Sequence, residues 1–268
     1  MKITLITTCY NCASTIGDAI MSVLAQNLTG FDLEYILVDG GSTDGTVEQI
    51  ENVKCKMENG CGRFTFKFIS ERDRGMYDAI NKGIKMATGD VIGILNADDV
   101  FESEDTLAHV VEAFRSGGVG ERVDCVYADI RFVKDDLNTT VRYYSAKHWK
   151  PWMLQWGKMP PHPSVYIRRE LFEKHGLYKL GYEIAADYEL LIRYLRVAKL
   201  RTRYLNESLV KMRMGGKSTR GWKSFVTLNR EIVRGNRENG YFCCFPMLLP
   251  KYLFKVFEFI LPRLGLNK

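Results

Sequence analysis

Apolar positions along this chain follow two rhythms, and the rhythms alternate. Residues 2 to 8 (KITLITT) form a short apolar run, the pattern of a strand buried on both faces. Ile16, Ile20, Val23 and Leu24 then fall at i, i+4, i+7 and i+8, one face of a helix that Ser14 or Thr15 can cap. Tyr35 to Val38 reads as a second buried strand, and the turn residues DGGSTDG separate it from a helix carrying Val47, Ile50 and Val53. Phe64 to Ile69 predicts a third strand, Met76 to Met86 a helix, and Val91 to Leu95 a fourth strand that stops on Asn96-Ala97-Asp98-Asp99. A helix with Leu107, Val110, Val111 and Phe114 on one face follows, then a strand over 123 to 128. Alternation of this kind predicts an α/β fold built on a mainly parallel sheet.

From residue 130 the rhythm changes. Phe132, Val141, Tyr143 and Tyr144 suggest short antiparallel strands around a loop at 135 to 138, and Trp149, Trp152 and Trp156 crowd ahead of Pro160-Pro161-His162-Pro163. Arg169 to His175 predicts a short helix closed by Gly176. Residues 185 to 198 predict a longer helix beginning at or just before Asp187, and 199 to 214 a strand ending at Gly215-Gly216. Residues 217 to 240 are basic and helical in pattern; 241 to 268 are rich in Phe, Leu, Tyr and Pro. Two parts are therefore expected, 1–216 and a C-terminal appendage, 217–268.

Charge and cysteine content narrow the classes. With 38 Lys plus Arg against 32 Asp plus Glu, the net charge of +6 favours anionic ligands or a membrane surface. No stacking motif or basic stripe accompanies it, so no nucleic-acid partner is expected. Seven cysteines without framework spacing, and an N-terminus that reads as a strand rather than a leader, suggest reduced thiols in the cytoplasm. Cys9 and Cys12 have CxxC spacing, but no second pair follows, and they are read as ordinary thiols.

The chemistry gathers where strands end. In an open α/β sheet, ligands bind beyond the carboxyl ends of the strands. Asp39, the acids from Asp73 to Asp78, and Asp98-Asp99 all fall there. Adjacent carboxylates repel unless a cation neutralises them. Mg²⁺ or Mn²⁺ accepts one or two carboxylates and completes its shell with water and phosphate oxygens, so Asp98 and Asp99 are candidate metal ligands for a diphosphate. An isolated Asp-Asp pair would instead be read as a cap.

Taken in order, the strand end TTCYN, VDGGSTDGT, RDRGMYDAINKGIKMATGDVIGILNADD, PHPSVYIRRELFEKHGLY and AADYELLIRYL resemble a family 2 glycosyltransferase of the GT-A fold, over about residues 2 to 216. The resemblance implies a Rossmann-like mixed sheet flanked by helices and inverting sugar transfer from a nucleotide-sugar donor, with UDP expected, to a carbohydrate or lipid-linked sugar acceptor. It implies that Thr8, Tyr10 and Asp39 contact the nucleotide, that Asp78 and Asn81 line the nucleotide and sugar, and that Asp98 is the last acid of the DxD metal motif. Asp187 corresponds to the catalytic base of the ED motif, and His162 to a position on the acceptor side. Two departures stand out. The first acid of DxD is Asn96, which can still bond a ribose hydroxyl or a metal-bound water, and the Glu before the base is Ala186. A catalytically silent sugar-nucleotide-binding or scaffold protein is the alternative that these departures suggest.

Other features carry two readings each. The tryptophans could stack on acceptor or pack internally, and Arg213 with Lys217 could close over a diphosphate. Lys251 to Leu261 is amphipathic and too short to span a bilayer. It suits a helix lying peripherally on the inner membrane face, or one docked on the catalytic part or on a second subunit of a homo-oligomer.

Overall fold

The computed structural model describes residues 1–58, 62–116, 122–215 and 221–252. The first half alternates as its pattern predicts: β1 (Lys2–Cys9), α1 (Ile16–Leu24), β2 (Asp32–Asp39), α2 (Thr46–Glu58), β3 (Phe64–Ser70), α3 (Met76–Met86) and β4 (Val91–Ile94). There follow β5 (Val100–Phe101), α4 (Thr106–Arg115), β6 (Cys125–Val133), β7 (Thr140–Tyr144), β8 (Tyr166–Arg168), α5 (Glu170–His175), α6 (Ala186–Leu191), β9 (Thr202–Arg213) and α7 (Gly221–Glu238).

Nine strands among the described residues form one sheet in the order β3-β2-β1-β4-β8-β6-β9-β5, with β7 on β6. The first four run parallel, and each is buried along most of its length except β3, as their apolar runs require. One apolar layer joins α1 and α4 to one face of the sheet; the other joins α3, α6 and the C-terminal segment to the opposite face.

The decisive topological event is β8, which runs antiparallel to both β4 and β6. Gly93 pairs with Tyr166 and Val91 with Arg168, so the start of β8 lies at the carboxyl edge of β4. The turn containing His162 is thereby delivered to the same edge as the ends of β1, β2 and β4. Gly93 permits this approach, because a Cβ there would meet the Tyr166 ring at 2.3 Å.

The predicted helix over 185 to 198 is α6 continued by a π-helical turn, Ile192–Val197. Trp149 is buried edge-on to Tyr127 at 5.3 Å between centroids, whereas Trp152 and Trp156 are exposed. Lys217 and most of the predicted amphipathic segment at 251–261 lie outside the described residues. No helix among the described residues is long and apolar enough to cross a membrane.

Candidate active site

Strand register lines up the donor-side residues. Cys9 pairs with Asp39 and Asp39 with Ser70, so β1, β2 and β3 end level. Thr8 is half-buried at this edge and Tyr10 is exposed just beyond it. The Tyr10 ring lies against Gly40, within 3.5 Å of where a Cβ would stand.

Asp39 is fully enclosed. Its carboxylate accepts the N–H groups of Gly41 and Ser42 (both 3.0 Å), the Ser42 hydroxyl (2.5 Å) and the Ser70 hydroxyl (2.7 Å). The Cys9 thiol donates to it at 3.6 Å. Burial pushes this carboxyl up, but the serine and backbone donors outweigh burial and hold it below its ordinary value.

Two residues expected to line the donor pocket are occupied by the chain itself. Asn81 donates to the Tyr178 carbonyl at 2.8 Å and accepts the Tyr178 N–H at 3.0 Å. Both ends of its amide are thus used in the interior, where it clamps α3 to the loop after α5. Asp78 accepts the backbone N–H of Arg74 (3.1 Å) and pairs with its guanidinium (3.3 Å), which lowers its carboxyl. It closes the turn that starts α3.

At the end of β4, Asp98 is half-buried and Asp99 fully buried. Asn96 donates to Asp99 Oδ2 at 2.8 Å, while Asp99 Oδ1 has no partner. Burial first, and the Asp98 charge second, push the Asp99 carboxyl well up. An unpartnered buried carboxylate oxygen beside a second carboxylate is a condition that a cation relieves. Among the described residues no three His, Cys, Asp or Glu side chains converge as a metal cage. Asp98 and Asp99 are the carboxylates at this edge that could hold a hard cation, whose shell phosphate oxygens and water would complete. Arg213, at the end of β9, donates to the Asp98 carbonyl (3.0 Å) and pairs with Asp18 at 2.5 Å. It is itself buried, so the expected lid is instead a pin beneath the turn.

Asp187 stands in the first turn of α6, its Oδ1 accepting the Tyr188 N–H at 2.8 Å. The Tyr77 hydroxyl, from the first turn of α3, lies 3.4 Å from the same oxygen and donates to the Ile184 carbonyl at 2.5 Å. Tyr77 stacks on Tyr178 with centroids 5.8 Å apart, and Tyr178 shares a 2.7 Å hydrogen bond with His162 Nε2. Burial pushes the Asp187 carboxyl up, against the opposing pull of His162 and the Tyr188 N–H. Burial also pushes the His162 imidazole down. The structure thus joins Asp187, His162, Tyr77 and Tyr178, drawn from four separate stretches of chain, into one chain of contacts. Sequence reading named Asp187 and His162; Tyr77 and Tyr178 lie inside two of the quoted stretches, where nothing in their own chemistry sets them apart.

Comparison with known proteins follows this geometry. A curled, mainly parallel sheet with acids at its carboxyl edge is the fold of GT-A type glycosyltransferases. The S. aureus TarS structure in complex with UDP-GlcNAc superposes with a TM-score of 0.66 at 17% identity, over 88% of this chain and 66% of that one. A mannosyltransferase from Pyrobaculum calidifontis, in complex with GDP-Man and Mn²⁺, gives 0.64 at 20% identity over 88% and 63%. The chain thus spans slightly less than two thirds of those two structures, and at such identities the likeness carries the fold.

Sequence relatives carry the rest. A PGL/p-HBAD biosynthesis glycosyltransferase of Mycobacterium tuberculosis is 34% identical over 198 residues, 73% of this chain and 70% of the relative. An uncharacterized glycosyltransferase of Nostoc sp. is 30% identical over 223 residues, 81% and 66%. The family model for glycosyl transferase family 2 matches residues 4–176, and the chain belongs to that family.

Proposed function

We propose that this glycosyltransferase inverts the anomeric centre of a nucleotide-sugar donor, a UDP-sugar, in transferring the sugar to an acceptor hydroxyl, with Asp187 as base. The observation that carries this reading is the setting of Asp187: a carboxylate at a helix start, its carboxyl pushed up, in hydrogen-bond reach of a tyrosine from helix α3. The acceptor oxygen bonds to the anomeric carbon as the bond to the diphosphate breaks on the opposite face, and the acceptor proton passes to Asp187. The α6 macrodipole favours the ionised form and burial opposes it, which keeps the group's proton affinity above that of a free aspartate. His162, made less basic by burial, borders the acceptor side.

Asp98 would hold Mg²⁺ or Mn²⁺, which when bound neutralises charge on the departing diphosphate. Arg213 fixes the backbone from which Asp98 projects, and Asn96 holds Asp99 in place behind it. Thr8 and Tyr10 border the nucleotide. A nucleotide-sugar donor is supported by the UDP-GlcNAc and GDP-Man complexes of the structural relatives.

The acceptor is a carbohydrate, lipid-linked in the setting of polysaccharide or glycolipid assembly. Exposed Trp152, Trp156, Trp222 and Phe242, and the absence of any Asp or Glu between Leu137 and Arg169, suit an anionic membrane surface. Sedimentation with phosphatidylglycerol vesicles, weakened by Trp222→Ala, is the expected outcome.

The central test is titration of UDP- and GDP-sugars with and without Mn²⁺, following heat of binding and slow donor hydrolysis. Mn²⁺-dependent binding of one donor supports the reading. Binding of none of them favours a silent scaffold.

A further inference from the structure

Between α5 and α6 the chain runs from Gly176 to Ala185 without regular structure, and its backbone is gathered by side chains from elsewhere. At the near end Asn81 clamps Tyr178, and the Arg193 guanidinium donates to the carbonyls of Gly176 and Leu177, both at 2.8 Å. At the far end one carboxylate does the gathering. Glu231 of α7 accepts the N–H of Glu183 on Oε1 at 2.6 Å, and those of Ile184 and Ala185 on Oε2 at 2.9 and 2.8 Å. Ala185 is the N-cap residue of α6 and has no side-chain oxygen with which to cap it. Two residues later comes Asp187.

We propose that Glu231 is a positioning residue for sugar transfer: by holding three successive N–H groups it fixes the backbone entering α6, and with it the place of the Asp187 carboxylate. The inference rests on Asp187 being the base.

Glu231 suits this task in three respects. It is buried, on the face of α7 that also buries Asn229, Ile232, Gly235 and Asn236. Its two oxygens, with no hydrogen to present, can accept all three donors, whereas the amide of a glutamine would turn an N–H₂ towards an N–H. And α7 is held in register against α6. Asn236 donates to the Tyr188 hydroxyl at 3.1 Å, Asn239 to Glu189 Oε1 at 3.1 Å, and Gly235 lies against Glu189, where a Cβ would make ordinary contact at 3.5 Å. The Ile184 carbonyl faces the other way, to Tyr77. The peptide groups ahead of the base are thus held between α3 on one side and α7 on the other. A misplacement of about 1 Å at a reacting group can cost on the order of a hundredfold in rate, so a shift confined to this segment registers in turnover before it registers in donor affinity.

The experiment uses the full chain and compares Glu231→Gln, Glu231→Asp and Tyr77→Phe with wild type, measuring kcat over pH and UDP binding with Mn²⁺. Expected are a fall in kcat on the order of tenfold for Glu231→Gln, UDP affinity within about twofold of wild type, a displaced acid limb of the kcat profile, and partial recovery in Glu231→Asp. Tyr77→Phe should lower kcat in the same direction, and the double variant by less than the product of the two. Wild-type kcat and pH profile in Glu231→Gln overturn the proposal, as does a kcat loss matched by an equal loss of UDP affinity. Should Glu231→Gln fail to fold, judged by circular dichroism, Glu231→Asp decides by the same two criteria. Asp187→Asn separates the premise from the inference: full activity in that variant removes Asp187 as base whatever the Glu231 variants do.

Discussion

Two acids meet the interior of this molecule on opposite terms. Glu34, in β2, is fully enclosed, and its carboxylate accepts from the Thr4 hydroxyl (2.6 Å), the Thr88 N–H (2.7 Å) and hydroxyl (2.8 Å), and Lys67 at 2.8 Å. Burial pushes its carboxyl up, but these partners prevail and bring it down to about 2. Asp187 has one backbone N–H at hydrogen-bond distance and a tyrosine at 3.4 Å, and there burial prevails. A buried carboxylate whose lone pairs are filled by donors ties strands together. One left short of donors keeps an appetite for a proton.

The comparison breaks first, and most visibly, at Asp187. Asp187→Asn should lower transfer by about a thousandfold, with UDP binding in Mn²⁺ unchanged within twofold; steady-state kinetics and calorimetry check the two halves. Glu34→Gln should do the reverse, reducing unfolding free energy by roughly 2–4 kcal/mol in urea melts while turnover of the folded enzyme survives. Because the Glu34 carboxyl is depressed when folded, its contribution is present above its ordinary value of 4.5 and is lost as pH falls towards about 2. The variant's stability should therefore vary less steeply across that window.

Asp98→Asn should raise the Mn²⁺ concentration needed for UDP binding by about tenfold, because one formal charge leaves a site that already has Asn96 in place of an acid. The smallest effect is the sharpest. A base must be ionised to accept a proton, so a raised carboxyl moves the acid limb of kcat above the ordinary 3.8. The Tyr77 hydroxyl pulls that carboxyl down; Tyr77→Phe should shift the limb further upward, read from the kcat profile.

Much of this was written in the sequence. Buried parallel strands show as unbroken apolar runs, so β1, β2 and β4, and the acids that follow β2 and β4, stand out by eye. Asp187 could be placed at a helix start because Leu190, Leu191, Tyr194 and Leu195 follow at helical spacing. What could not be read are partnerships across the chain. Nothing in VDGGSTDGT tells that Ser70, thirty-one residues on, helps to seal Asp39. Nor does the sequence tell that both ends of the Asn81 amide meet Tyr178, ninety-seven residues on. Glu231 lies in a basic helical stretch that carries no motif, and its role exists only once α7 has docked. Residues 192–197 look like ordinary helix, since a π-turn leaves the apolar pattern nearly intact.

The reversal of β8 has a wider consequence. Because the chain turns back in mid-sheet, the stretch from 145 to 165 leaves the sheet after β7 and returns to it in β8 at the same edge, like a drawer let into a fixed cabinet. Its contents can be exchanged between two fixed strands while the ends of β1, β2 and β4 stay as they are. A single scaffold can in this way keep one half of its chemistry and be refitted for the other.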